Sequence, residues 1–264
     1  MLRQRVITAL ALAAAALLAI FLLPHGAVMG IVALLILAGA WEWSAFPGFA
    51  RHSVRLAYVA VVALGIAATW RFGSLRVELD AVLYVAVLWW IVALAWIVIM
   101  PTAVNRVTAG IAGLFVLVPA WLALIRLHAL GPLLMLFLLL LVVAADVGAY
   151  FFGRRFGQNK LAPRVSPGKT WEGVLGGMLG AALVATVGVY GFAVPAAPFI
   201  ALSLLVVLAS IVGDLTESLF KRHAGVKDSG SLLPGHGGVL DRVDSVTAAA
   251  PVFLVGLERL GLFR

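Results

Sequence analysis

The stretch that decides the fold is Pro132–Phe152, PLLMLFLLLLVVAADVGAYFF, where the one ionisable carboxyl in an otherwise apolar run is Asp146. A bilayer core of roughly 30 Å needs about 20 such residues in a helix. The run extends without a turn signal, so it is expected to span a membrane from Leu130 to Phe152. Eight further apolar segments follow the same pattern: Val6–Leu23, Val28–Phe46, Leu56–Trp70, Ala81–Met100, Val107–Ile125, Val174–Phe192, Pro198–Val212 and Val246–Leu262. The fold class is therefore all-α, a polytopic integral membrane protein of about nine transmembrane helices.

Composition agrees. Of 264 residues, 64% are hydrophobic and 11% charged, against about 25% charged in soluble domains. The mean hydropathy is +1.14. The first span follows Arg3 and Arg5, which raises the alternative of a cleaved signal peptide. Its apolar run exceeds the usual h-region of about 7–15 residues and a second span follows at once, so a retained helix is the reading preferred. With no cysteine, disulfides and thiolate metal sites are excluded.

The net charge of +8 does not point to nucleic acid. With the N-terminus in the cytoplasm and nine alternating spans, fourteen of the nineteen Lys and Arg residues fall on the cytoplasmic side. That is the positive-inside asymmetry. It predicts a multi-pass protein of the cell (inner) membrane.

No repeat divides the chain, so residues 1–264 read as one membrane domain: a helical scaffold half, 1–129, and a polar-loop half, 130–264. Two connectors carry the chemistry, GRRFGQNKLAPRVSPGKTWEG (153–173) and the segment 213–245. Asp146, Glu172, Asp214, Glu217, Asp228, Asp241 and Asp244 lie at or beside them; only Glu42, Glu78, Asp80 and Glu258 lie elsewhere. From Pro132 to Asp146 is about 21 Å of helix, and from Pro198 to Asp214 about 24 Å. Both acids thus reach the cytoplasmic end of their spans. Asp241 and Asp244 precede the last one.

Unpaired carboxylates at a membrane edge cost a few kcal/mol each. They can be matched as structural salt bridges by Lys221, Arg222, Lys227 and Arg242, or they can hold a cation. Mg²⁺ is the natural ion for a few carboxylates and phosphate oxygens. Zinc at His223 and His236 is disfavoured without cysteines. Gly235–Gly238, before Asp241, reads either as a flexible turn or as a backbone cradle for phosphate. Acids, bases and glycines together indicate phosphoryl or nucleotidyl transfer. Trp41, Trp43, Trp89 and Trp90 read as interfacial anchors or packing rather than ligand contacts.

The run SLFKRHAGVKDSGSLLPGHGGVLDRVD, Ser218–Asp244, resembles the signature of the phosphatidate cytidylyltransferases, also called CDP-diacylglycerol synthases. GDLTES (213–218) and the run from Asp146 through SPGKTWEG are similar to the same family, so the resemblance covers roughly the second half. It implies conversion of CTP and phosphatidic acid to CDP-diacylglycerol and pyrophosphate for phospholipid synthesis. It also implies Mg²⁺, with a second, monovalent cation left open, a site facing the cytoplasm and a homodimer.

Carried over residue by residue, it implies metal ligation by Asp214 and Asp241, with Asp244 and Asp146 supporting. Lys227, Asp214, Asp241 and Asp244 form the expected catalytic set. Lys221, Arg222, Lys169, Ser166, Lys160, His236, Gly237, Gly238 and Asp228 are expected to bind substrate. No dedicated general base is needed, because the attacking lipid phosphate is already ionised. Two rivals remain, a CTP-dependent lipid or polyprenol kinase and an ion-coupled transporter. The transporter predicts acids near mid-span.

Overall fold

The structure is a computed structural model that describes residues 2–71, 76–101, 104–232 and 237–263. Among these, nine α-helices follow in order: α1 (Leu2–Leu22), α2 (His25–Trp43), α3 (His52–Arg71), α4 (Arg76–Ile99), α5 (Arg106–Leu130), α6 (Pro132–Phe156), α7 (Trp171–Phe192), α8 (Ala196–His223) and α9 (Asp244–Arg259). Each expected span corresponds to one of them. By length and composition α2 through α8 can each cross a bilayer. The 16-residue α9 is shorter and lies largely buried among the others.

What faces outward decides the solvent. Leu34, Leu64, Val98, Leu183, Val187 and Tyr190 are each more than two-thirds exposed. An apolar exterior of that extent belongs in lipid rather than in water. The protein is a polytopic helical membrane protein.

The interior is organised around α5 and α9. Phe137 of α6, Phe199 of α8 and Phe253 of α9 pack with tilted or edge-on rings 5.1 to 6.4 Å apart and hold three helices at one level. Trp43 and Trp90 are core residues, 1% and 4% exposed, so packing is their role. Trp41 instead lies under the Arg55 guanidinium, 4.0 Å away.

Small residues let α6 and α7 approach backbone to backbone. A methyl group at Gly148 would strike the Gly176 carbonyl, and one at Gly180 would meet the Ala144 oxygen at 2.6 Å. Such contacts need residues without bulk, the usual way of joining helices in lipid. The seam carries Asp146 to a fixed height beside the start of α7.

The connector between α6 and α7 is not all loop. It folds into an antiparallel pair, β1 (Lys160–Ala162) and β2 (Ser166–Thr170), the one strand pair among the described residues. Thr170 then caps α7, its Oγ1 accepting from the Gly173 N–H at 3.1 Å. Glu172 closes the base of the hairpin by accepting from Gln158 and Asn159. The SPGKTWEG run is therefore a strand, a cap and a first helical turn.

At the opposite end of the bundle Arg126 bridges Asp80 at 2.9 Å and Glu258 at 3.2 Å. Two of the acids remote from the polar connectors are thereby neutralised.

Candidate active site

Helix α8 has 28 residues, about 42 Å of length. That exceeds the hydrocarbon thickness of roughly 30 Å, so its last turns carry charge beyond the apolar layer. Asp214, Glu217 and Lys221 lie on that end; Asp214 turns to a cavity, while Glu217 and Lys221 pair with each other.

Asp214 faces a cavity of about 510 Å³ bounded by α6, the hairpin, α7, α8 and the start of α9. Lys169, from β2, reaches across it and pairs with Asp214 Oδ2 at 2.6 Å. Ser218, one turn on, donates to Asp214 Oδ1 at 3.3 Å. Asp146 enters from α6 and also lines the cavity, while Asp244 stands at the start of α9. Asp146 and Asp244 both feel the charges of Asp214 and Lys169. Away from these charges the cavity wall is apolar, with Ala145, Ala149, Val174, Val207 and Ile211. A polar end and an oily flank suit an amphiphile.

The second centre is buried. Lys221 Nζ lies 2.7 Å from Asp241 Oδ1 and 3.0 Å from Glu217 Oε1. Asp241 Oδ2 accepts from the Ser229 N–H, the Ser229 hydroxyl and the Gly238 N–H, each at 2.9 Å. Burial alone would push the Asp241 carboxyl up. The hydrogen bond from Lys221 and those from the Gly238 and Ser229 amides outweigh it and hold the group down at about 2. Glu217 feels both Asp244 and Asp241, and so links the two centres electrostatically.

These positions bear on the expected ligand set. Asp214 and Asp241 were expected to grip one ion; in the structure each pairs with its own lysine, and Asp241 Oδ2 faces three donors of the loop while Oδ1 takes Lys221. The Gly238 N–H was expected to face phosphate and instead donates to Asp241, with Gly237 turning the chain at φ 81°. Asp241 and Asp244 do not share a helix: Asp241 lies in a 3₁₀ turn, Leu240–Arg242, and α9 starts at Asp244. Among the described residues no three acidic or histidine side chains are grouped as a metal site. The donor chemistry of Asp146, Asp214 and Asp244 still fits a hard cation: the Asp214 charge reaches both of the other carboxylates, and the Lys169 ammonium counters it.

The remaining expected residues are dispersed. Lys160 is exposed on β1, and Ser166 is half-buried at the start of β2. Arg222 is exposed at the end of α8, where its Nε–H points to the Val165 carbonyl at 3.4 Å. Lys227 and Asp228 are exposed in the following loop. His236 lies outside the described residues.

Sequence reasoning missed Arg154, Tyr150 and Glu42. Arg154 and Tyr150 border the cavity, with Arg154 Nη1 donating to the Tyr150 hydroxyl at 2.9 Å. Their signal was available: α6 has a period that brings residues 146, 150 and 154 onto one face. Glu42 was visible as an acid at the end of an apolar span, but its partners are nearly 200 residues away.

Comparison with known proteins closes the argument. Residues 3–259 match the cytidylyltransferase family. A phosphatidate cytidylyltransferase of Pseudomonas aeruginosa is 46% identical over 284 aligned positions, covering 99% of this chain and 98% of the relative. One of Haemophilus influenzae is 39% identical, with 96% and 97% covered. One of Brucella suis reaches 53% over 129 positions, 46% of this chain and 45% of the relative. The likeness thus extends through both halves and includes the helices that alone look generic. With its family matched from the first helix to the last, this chain belongs to the cytidylyltransferase family.

Proposed function

We propose that the protein is a phosphatidate cytidylyltransferase of the inner membrane, joining CTP and phosphatidic acid into CDP-diacylglycerol and pyrophosphate. The observation that carries this reading is the cavity at the Asp146, Asp214 and Lys169 cluster, polar at one end and walled by apolar residues of α6, α7 and α8. Acyl chains can run along that flank while the head group meets the charges. The near full-length similarity to phosphatidate cytidylyltransferases supports the choice of substrate.

In the reaction an ionised oxygen of the phosphatidate phosphate attacks the α-phosphorus of CTP. The new bond is P–O–P; the bond from the α-phosphorus to the bridging oxygen breaks, and pyrophosphate leaves with the electron pair. No proton has to be removed from the nucleophile, so positioning and charge neutralisation carry the catalysis. Lys169 and Arg154 would bind phosphate oxygens, and Asp214 would orient Lys169. Lys221 and Asp241 would brace the segment around Ser229 and Gly238. Mg²⁺ would be held by Asp146, Asp214 and Asp244, where it would neutralise the charge on the triphosphate.

The charge asymmetry supports a cytoplasmic N-terminus and a cytoplasmic site. We also propose a homodimer, which cross-linking in native membranes would test.

The direct experiment uses protein reconstituted with phosphatidic acid, Mg²⁺ and CTP labelled in the cytidine. The expected result is lipid-bound cytidine with stoichiometric pyrophosphate. Free CDP with a newly phosphorylated lipid would identify a kinase instead, and no turnover of either kind would overturn the enzyme reading.

A further inference from the structure

Glu42 lies at the last turn of α2, in the half of the chain that carries none of the family signature, and is 2% exposed. A carboxylate buried there needs partners. It finds them across the bundle. Oε1 accepts from the Val239 N–H at 3.0 Å, and Oε2 from the Leu240 N–H at 2.8 Å and the Ser229 hydroxyl at 3.0 Å. Val239 and Leu240 lead into the 3₁₀ turn that carries Asp241, so their amides are the orphan donors of a helical start. Glu42 caps that turn from another helix, with charge-assisted bonds.

The Ser229 hydroxyl also lies 2.9 Å from Asp241 Oδ2. It has one proton and two carboxylates to give it to. Glu42 and Asp241 therefore compete for one donor, and the state of either acid sets how firmly the other is held. The glycines of the signature fit this arrangement. A Cβ at Gly230 or Gly238 would strike the Glu42 carboxylate, and at Gly238 the Ser229 hydroxyl too.

We propose that Glu42 is a positioning residue: through Ser229 and the amides of Val239 and Leu240 it sets the place of Asp241, and with it Lys221, in the reaction. The proposal rests on the cytidylyltransferase reading above. It gives the half of the chain that otherwise supplies scaffold a part in positioning the brace beside the site.

The test compares reconstituted wild type, Glu42→Gln, Ser229→Ala and the double variant, measuring kcat, the KM for phosphatidate and thermal unfolding in detergent. Glu42→Gln should lower kcat by about tenfold or more with the phosphatidate KM unchanged, because the cavity walls do not include residue 42. The double variant should lose little more than the worse single one, the mark of residues acting as a unit. If Glu42→Gln does not fold, Ser229→Ala alone carries the test, with kcat reduced about three- to tenfold at an unchanged KM. Wild-type kcat in either folded variant overturns the proposal, as does a raised phosphatidate KM at constant kcat or fully additive losses. Failure of the wild type to make CDP-diacylglycerol would instead overturn the assignment of function.

Discussion

Two lysines in this protein meet carboxylates at similar distances, yet their surroundings differ. Lys169 and Asp214 have side chains 26% and 29% exposed and face an open cavity. Lys221, with Glu217 and Asp241, is 10% exposed, and its partners are 2% and 11% exposed. Asp241 Oδ2 is held by donors of the loop around it. An ion pair in contact with solvent can exchange its partner for a substrate phosphate at little cost. A buried pair held by amides cannot, since separating it strands charge in a medium of low dielectric. The two pairs are thus suited to different work: the open one can exchange its partner and the buried one can brace.

The largest effect should come from the open centre. Asp214→Asn removes the charge that orients Lys169 and one of the two acids facing the cavity. Activity is expected to fall by about a thousandfold or more, on the scale of losing a central electrostatic group. Folding should survive, since the site is partly exposed. Near-normal CTP-dependent turnover in this variant would show that the cavity is not the reaction centre.

Exchanging the two lysines for methionine then separates reactive group from brace. Lys169→Met should abolish most activity while leaving the unfolding temperature in detergent close to that of the wild type. Lys221→Met should lower stability by about 3–5 kcal/mol, because Glu217 and Asp241 lose their common counter-charge inside the protein. Equal unfolding temperatures for the two variants would erase the distinction drawn here.

The contrast also explains what could be read from the sequence. Helix number and order were legible because apolar runs of bilayer length have few other fates. That Asp146 and Asp214 reach the same end of their spans was legible because helix rise fixes height along a span. The division into two centres was not, because rise says nothing about which way a helix faces its neighbours. Asp241 was assigned to the metal on its place in a signature, whereas its partners depend on a 3₁₀ turn that breaks the helical spacing before Asp244. Glu42 was hidden for a related reason: its bonds reach Val239 and Leu240, a tertiary contact that no local pattern encodes.

A smaller effect should separate the two substrates within the open centre. Arg154 is exposed, borders the cavity and rests on the Tyr150 hydroxyl at the lipid side of α6. Arg154→Ala should raise the KM for phosphatidate about three- to tenfold and leave kcat nearly unchanged, the pattern of lost uniform binding. An equal fall in kcat with no change in KM would place Arg154 at the transferring phosphorus instead.

The smallest effect concerns acid, and it isolates the brace. Asp241 has its carboxyl held at about 2, below the ordinary 3.8. A carboxyl depressed by folding contributes stability that is complete above the ordinary value and is lost as pH falls toward the folded one. The wild type should therefore lose this contribution only between roughly pH 4 and pH 2, with none of it lost between pH 7 and pH 5. Asp241→Asn cannot take up that proton, so its unfolding temperature should start lower and decline less over the same acidic interval. Acids remote from Asp241 titrate alike in both proteins and cancel in the difference between the two curves. Parallel curves below pH 4 would mean that Asp241 is no better bonded in the folded protein than in the unfolded chain, and the buried centre would lose its claim to be a brace.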